Sequence, residues 1–178
     1  MKFLIVGDLH GSKPNIYYKD FDAIIAPGDF CSDAPRQYMF EAMRQSLKDP
    51  DSKTEWYDLV GKKTAKQMIL KSLKDGREIL EQLDAYGVPV YIVPGNWDWT
   101  PKDSKWNFQR LNHYKKLTKG LKNIVDVHNR IIDVGEYQMI GHGISSGPEY
   151  PQYQEDIESM KPKALKKMKN KYVKEKKQ

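Results

Sequence analysis

The 178-residue sequence predicts an α/β fold built around a parallel sheet. Three short apolar segments carry this prediction, at residues 2–6, 22–26 and 88–93. They are followed by the sequences GD, PGD and PGN, so that each run ends at a glycine and a polar side chain. Short apolar runs bounded in this way are typical of strands that are buried on both faces, and helices must then cover the sheet.

The size and composition of the chain indicate a single globular domain over residues 1–178. Aromatic residues make up 11% of the sequence, which is too many for a disordered chain and enough for a core. No apolar run approaches the roughly 20 residues of a membrane span. We also expect no signal peptide, because the first apolar stretch is broken at once by Gly7 and Asp8. The only cysteine, Cys31, excludes an internal disulfide. We therefore expect a cytoplasmic protein without membrane contact.

The net charge of +6 is concentrated at the C-terminal end of the chain. Residues 161–177 hold nine lysines and one acid, a charge of +8, so the first 160 residues sum to −2. The spacing predicts a lysine-rich helix at about 162–175, with an apolar stripe on one side. A solvated amphipathic helix is favoured over nucleic-acid binding, which stays open, as does homo-oligomerisation.

Between the second and third strands, apolar residues at helical spacing predict a helical insertion at about 35–87, interrupted near Pro50. Further along, the residues from Asp103 to Thr118 are predicted to form one helix. Its expected inward side chains are Trp106, Leu111, Tyr114 and Leu117. Segments 123–127, 130–134 and 137–140 are predicted strands.

Polar side chains follow each of the three predicted strands. Asp8 and His10 come after the first strand, Asp29 after the second and Asn96 after the third. Because consecutive parallel strands place their carboxyl ends at one edge of a sheet, these four side chains are expected to converge there. The alternative is ordinary turn chemistry, since Asp and Asn are common where strands end.

Two carboxylates, an imidazole and a neutral amide oxygen suit divalent ions such as Mn, Fe, Zn or Ni better than calcium. Asp8 and His10 can bind one ion from the same loop, Asp29 has two oxygens with which to bridge, and Asn96 can add an oxygen to a second ion. Two ions roughly 3.5–4 Å apart would polarise a phosphoryl oxygen and activate a water molecule. This arrangement predicts hydrolysis of a phosphate ester.

The sequences GDLHG, GDF and GNWD, in this order and each at a strand end, resemble the motifs of the calcineurin-like metallophosphoesterases. The resemblance implies a four-layer α/β sandwich with a dinuclear metal site and a phosphomonoester or phosphodiester substrate. It implies that Asp8 and His10 bind the first metal, that Asp29 bridges and that Asn96 binds the second. It does not indicate which substrate is used or which residue is catalytic.

Two departures from the family pattern stand out. Trp97 occupies the position at which many members have a histidine that protonates the leaving group. The single histidine and the His-x-His motif that close the site in the family have no counterpart in the sequence. We therefore expect the chain to correspond to the N-terminal part of the fold, with weak activity by itself. The alternative function is a catalytically impaired scaffold or binding protein.

The remaining polar and aromatic residues leave more than one interpretation open. Asp98 either orients the ligands or caps a turn. For His142, a loop histidine without metal is favoured over a substitute metal ligand. Surface or strand-end positions are expected for His113 and His128. Packing of the tryptophans is favoured over stacking on a nucleotide base, and Cys31 is expected to be a small buried side chain.

Overall fold

The computed structural model describes residues 1–49, 51–144 and 154–175. The chain divides into two compact units. The first comprises Met1–Ala34 and Lys66–Ser145, and the second comprises Pro35–Ala65 and Ser146–Gln178. Among the described residues, no helix combines the length and the apolar character that crossing a bilayer requires.

The first unit contains a four-stranded parallel sheet. Its strands are β1 (Phe3–Ile5), β2 (Ala23–Ala26), β3 (Val90–Ile92) and β4 (Ile124–Asp126), and they lie side by side in that order. The register aligns Leu4 with Ile24, Ile24 with Val90, and Val90 with Ile124. Since neighbouring strands are consecutive in sequence and parallel, their carboxyl ends meet at one edge, as predicted.

A β-hairpin packs on one face of this sheet. It consists of β5 (Arg130–Val134) and β6 (Tyr137–Gly141), which pair antiparallel. A core cluster joins buried residues of the sheet and the hairpin with half-buried ones: Ala23, Tyr91, Val127 and Val134, together with Ile25, Val93, Val125, Ile132 and Met139. On the opposite face of the sheet, Ile24, Val90 and Ile92 of the two central strands are fully buried as well. The central strands β2 and β3 are therefore covered on both faces, which agrees with their continuous apolar sequence. For β1 the prediction of burial was wrong, because this strand lies at the edge of the sheet and its Phe3 and Ile5 are 37% and 70% exposed.

The long helix α3 (Lys62–Asp84) holds the loop that follows β2. Ser72 Oγ donates a hydrogen bond to the carbonyl oxygen of Ser32 at 2.5 Å. Gly76 lies against Cys31, where an added Cβ would approach the Cys31 sulfur to 2.7 Å and its backbone nitrogen to 3.0 Å. A glycine in the helix interior therefore lets the loop backbone come close to α3. Cys31 itself is fully buried, as expected.

The second unit is helical and contains α1 (Arg36–Lys48), α2 (Trp56–Val60), α5 (Gln154–Ser159) and α6 (Pro162–Glu175). Helix α2 begins with a capping box, in which Glu55 and Asp58 each accept the backbone N–H of the other. Helix α1 contacts both α2 and α6. Helix α6 begins at the proline that the sequence placed there, and Lys163, Lys166, Lys167 and Lys169 are exposed. The assignment of residues 1–178 to a single domain stays a prediction.

The prediction of one helix from Asp103 to Thr118 was wrong. The segment holds a 3-10 helix at Asn107–Arg110 and the short helix α4 (Tyr114–Thr118), and Leu111 is exposed rather than inward. Local and tertiary hydrogen bonds compete with helix formation here. Ser104 Oγ accepts the backbone N–H of Trp106, and the Arg110 side chain donates to the Ser104 carbonyl oxygen.

The surface position expected for His113 was also wrong, because this residue is only 3% exposed. Its Nε2 donates to the carbonyl oxygen of Phe108 at 2.8 Å, and its backbone N–H donates to Trp99. Burial lowers the pKa of His113. The imidazole is therefore part of the packing that joins α4 to the preceding loop.

Candidate metal centre

The loops after β1 and β2 adopt an unusual backbone conformation at three of the predicted ligands. Asp8, His10 and Asp29 have φ angles of 58°, 45° and 54°, in the left-handed region that residues other than glycine rarely occupy. The two loops are joined by hydrogen bonds from His10 N to Asp29 O at 2.8 Å and from Gly11 N to Phe30 O at 3.0 Å. Strained backbone of this kind persists only where the surrounding contacts hold it in place, and it is found most often at functional sites.

These loops bring the side chains of Asp8, His10 and Asp29 together. One potential ligand atom from each residue lies within 4.8 Å of the other two. His10 Nε2 lies 2.8 Å from Asp8 Oδ1, and the Asp8 side chain is 82% exposed. The second ring nitrogen of His10, Nδ1, is buried and has no hydrogen-bond partner among the residues that the structure describes. The group is therefore open to solvent at Asp8 and enclosed by the protein at His10 Nδ1.

Asn96 lies next to Asp29, as the sequence predicted. With its amide nitrogen turned toward Asp29, Asn96 Nδ2 is 3.3 Å from Asp29 Oδ2, and Asn96 Oδ1 is 3.3 Å from the indole nitrogen of Trp97. The backbone N–H of Trp97 donates to Asp29 Oδ1 at 2.9 Å. The carboxylate of Asp29 thus contacts the loop after β3 through both oxygens, which places it between the two halves of the candidate site.

Asp98 is fully buried beneath the loops that carry Asp29 and Asn96. Its Oδ1 accepts the backbone N–H groups of Phe30 at 2.8 Å and Cys31 at 3.0 Å. Its Oδ2 accepts those of Asp29 at 2.9 Å and Gly95 at 2.8 Å. Burial raises the pKa of Asp98 to about 6, although the backbone N–H groups of Cys31, Gly95 and Asp29 favour the charged form. Both oxygens are engaged by backbone groups, and Asp98 is not one of the three clustered side chains.

A family model for calcineurin-like phosphoesterases matches residues 1–171. The chain belongs to this family. No curated protein and no solved structure matches the sequence. Membership confirms the resemblance and the α/β fold class predicted from the three motifs. It implies phosphoester hydrolysis with divalent metals as the class of chemistry, and the Asp8–His10–Asp29 group is a candidate site for such an ion.

Trp97 stands where many calcineurin-like phosphoesterases have histidine. Its indole ring meets the His10 imidazole edge-on, with ring centroids 6.2 Å apart. An indole ring is a hydrogen-bond donor only and does not ionise near neutral pH, so it cannot act as a general acid. At this position the chain therefore has an aromatic ring that packs beside the candidate ligands, where many family members have a residue that can protonate the leaving group. The packing expected of the tryptophans is clearest for Trp99, which is 4% exposed and donates to Ser72 Oγ.

His142 lies on the loop after β6, outside the clustered side chains of this calcineurin-like phosphoesterase. It is exposed, and its Nδ1 is 2.9 Å from Asn129 Oδ1. The same loop is fixed by a hydrogen bond from Gly143 N to His128 Nδ1 at 3.0 Å and by one from Ile144 N to Pro94 O at 2.6 Å. The backbone of this loop therefore contacts Pro94, which lies just after β3 and two residues before Asn96.

Two contacts of this centre could not be found from the sequence. The backbone N–H of Trp97 binds Asp29, and the backbone of Gly95 binds Asp98. Neither contact carries a signal in residue identity, because every residue except proline has a backbone N–H. The glycine before Asn96 was the one available hint, since glycine allows close approach of backbone segments.

Proposed function

We propose that this chain is a metal-dependent phosphoesterase that hydrolyses a phosphomonoester or phosphodiester at a dinuclear centre. Asp8 and His10 would hold the first ion, Asp29 would bridge and Asn96 would contribute to the second. The observation that carries the proposal is the convergence of Asp8, His10 and Asp29 within 4.8 Å, with Asn96 beside the same carboxylate.

The donor set fits divalent transition metals. Carboxylates and an imidazole together suit Mn, Fe, Zn or Ni, whereas calcium prefers oxygen ligands alone. Rotating the Asn96 amide would exchange its nitrogen for its oxygen next to Asp29 and so turn an acceptor toward a cation. Bound divalent ions would polarise a phosphoryl oxygen and activate water for attack on phosphorus.

The chain's own residues would act by positioning. Asp29 would keep a fixed place because the Trp97 N–H binds one of its oxygens and its own N–H binds Asp98. His10 would be held by its edge-on contact with Trp97. The exposed carboxylate of Asp8 would leave the solvent side open for a phosphate group to approach.

The test combines metal binding with turnover. Purified protein is titrated with Mn²⁺ by calorimetry and assayed with p-nitrophenyl phosphate and bis(p-nitrophenyl) phosphate, which separates monoesterase from diesterase activity. Asp29→Asn is expected to lose both Mn²⁺ binding and turnover. The matched control is Asp133→Asn, the same change at an exposed carboxylate of β5, and it should behave as the wild type. Undiminished turnover in Asp29→Asn would exclude this mechanism.

The second candidate function is a scaffold or binding protein on the same fold. It is favoured by Trp97, which removes the proton donor that many family members have at this position. A scaffold would show no heat with Mn²⁺ at high micromolar concentration, or would bind the metal without cleaving either aryl phosphate. Turnover that depends on Asp29 would exclude it.

A further inference from the structure

We propose that Asp98 is a positioning residue that sets the relative placement of Asp29 and Asn96, an inference that rests on the proposed metal function. Its two carboxylate oxygens bind four backbone N–H groups, three in the loop after β2 and one in the loop after β3. Each loop carries one of the candidate ligands. A single buried carboxylate therefore connects the bridging ligand to the ligand expected for the second ion.

The contact that matters most is made by Asp98 Oδ2. This one oxygen accepts the N–H of Asp29 at 2.9 Å and the N–H of Gly95 at 2.8 Å. Gly95 directly precedes Asn96. The backbone next to each candidate ligand is therefore bound to the same oxygen, Asp98 Oδ2. The loops also touch without intervening side chains, because an added Cβ on Gly28 would lie 2.3 Å from Gly95 N. A shift of either loop would therefore be transmitted to the other.

Asp29 needs such support because of its backbone conformation. Its φ of 54° is unfavourable for a residue with a side chain and persists only when surrounding contacts enforce it. The N–H groups of Asp29, Phe30 and Cys31 all point to Asp98, which fixes three successive peptide units. Removing the acceptor would leave buried donors unsatisfied, and the loop would move to find other partners. The Asp29 carboxylate would move with it.

A purely structural role for Asp98 makes a different prediction. In that case its removal would lower the stability of the fold without a specific effect on metal binding. Two variants separate the roles. Asp98→Asn keeps the shape and one oxygen but turns an NH2 group toward two N–H donors. Asp98→Glu keeps the charge and both acceptors but displaces them by one methylene in a fully buried site. Both alter the loop positions, by different means.

The experiment measures Mn²⁺ affinity by calorimetry, the electron paramagnetic resonance signal of bound Mn²⁺, and the thermal midpoint of the metal-free protein. Outer contacts to metal ligands typically affect affinity by about 10- to 100-fold, and we expect a loss of this size in each Asp98 variant that folds. The spin-coupled signal of two adjacent ions should weaken at the same time. Ile132→Ala, a core change in the hairpin cluster, is the control: it should lower the midpoint and leave affinity and signal unchanged.

The outcomes distinguish the two proposals. If the wild type binds no Mn²⁺, the proposed function fails and the role of Asp98 fails with it. If the wild type binds Mn²⁺ and the folded Asp98 variants bind it equally well, only the positioning role is overturned. The same holds if Ile132→Ala loses as much affinity as the Asp98 variants, because the effect would then follow stability alone. Should Asp98→Asn fail to fold, Asp98→Glu decides the question.

Discussion

Gly95 and Asp29 lie so close that a Cβ on Gly95 would stand 2.2 Å from Asp29 Oδ1 and 2.4 Å from Asp29 N. These distances are far below any van der Waals contact, so the loop after β3 can reach the candidate bridging ligand only if residue 95 has no side chain. Asp98 reinforces the same approach by accepting an N–H from each of the two residues. The missing side chain at Gly95 and the hydrogen bonds to Asp98 therefore both keep Asp29 against the loop after β3.

Gly95→Ala should lower the unfolding free energy by about 1–3 kcal/mol and weaken Mn²⁺ binding, because the new methyl group must displace the Asp29 loop. Gly120→Ala is the control. Gly120 also has a backbone conformation that favours glycine, with a φ of +80°, but no described residue lies within 4 Å of its Cβ position. It should lose about 1 kcal/mol through backbone strain alone and keep its metal affinity. Urea unfolding and calorimetry measure both quantities, and equal metal affinity in the two variants would contradict the steric argument.

The buried imidazole of His113 should make stability fall in acid. Because burial lowers its pKa, the unfolded chain binds the proton more readily than the folded chain. The stabilisation is therefore present above the ordinary histidine pKa of about 6.5 and is lost as the pH falls below it. His113→Gln retains a donor for the Phe108 carbonyl but does not titrate. Urea midpoints between pH 7.5 and 5 should fall more steeply for the wild type, and parallel curves would refute this prediction.

Ile131 and Ile132 test the orientation of the hairpin. They are neighbours on β5, yet Ile131 is 64% exposed while Ile132 packs in the core cluster. Ile132→Ala should cost about 2 kcal/mol of unfolding free energy, since buried methyl groups and their contacts are lost. Ile131→Ala should stay within about 0.5 kcal/mol of the wild type. Equal losses in urea unfolding would show that the hairpin packs differently.

Arg77 should stabilise the end of α4 from its position on α3. One guanidinium nitrogen donates to the carbonyl oxygens of Leu117 and Lys119, each at 2.7 Å, while Nε binds Glu81. Arg77→Ala removes both hydrogen bonds to these carbonyl oxygens and the one to Glu81, and we expect a loss of about 1–2 kcal/mol of unfolding free energy. Arg77→Lys keeps the charge without the planar fork and should recover only part of this. Full recovery by lysine in urea unfolding would mean that charge, not geometry, matters here.

Local sequence patterns were sufficient for the parallel strands and for the edge at which the candidate ligands gather. Three apolar runs, each closed by glycine and a polar residue, predict parallel strands whose carboxyl ends lie at one edge of the sheet. The burial predicted for them held for β2 and β3 but not for the edge strand β1, where Ile5 is 70% exposed. The same reasoning failed for residues 103–118, where the Arg110 side chain occupies the Ser104 carbonyl oxygen that a continuous helix would bond to the N–H four residues later. It failed for His113 too, since nothing near it in the sequence announces that it is buried.

Residue identity and chain order together were thus enough to bring Asp8, His10, Asp29 and Asn96 to one edge of the sheet, and their role as metal ligands stays a prediction. How those side chains are held became visible in the folded chain. The N–H groups of Asp29 and Gly95 both donate to Asp98. Asp29 is 69 residues from Asp98 in the sequence, whereas Gly95 is three residues from it. Such contacts depend on how closely two loops approach, and backbone groups, being the same in almost every residue, leave no trace of this in the sequence.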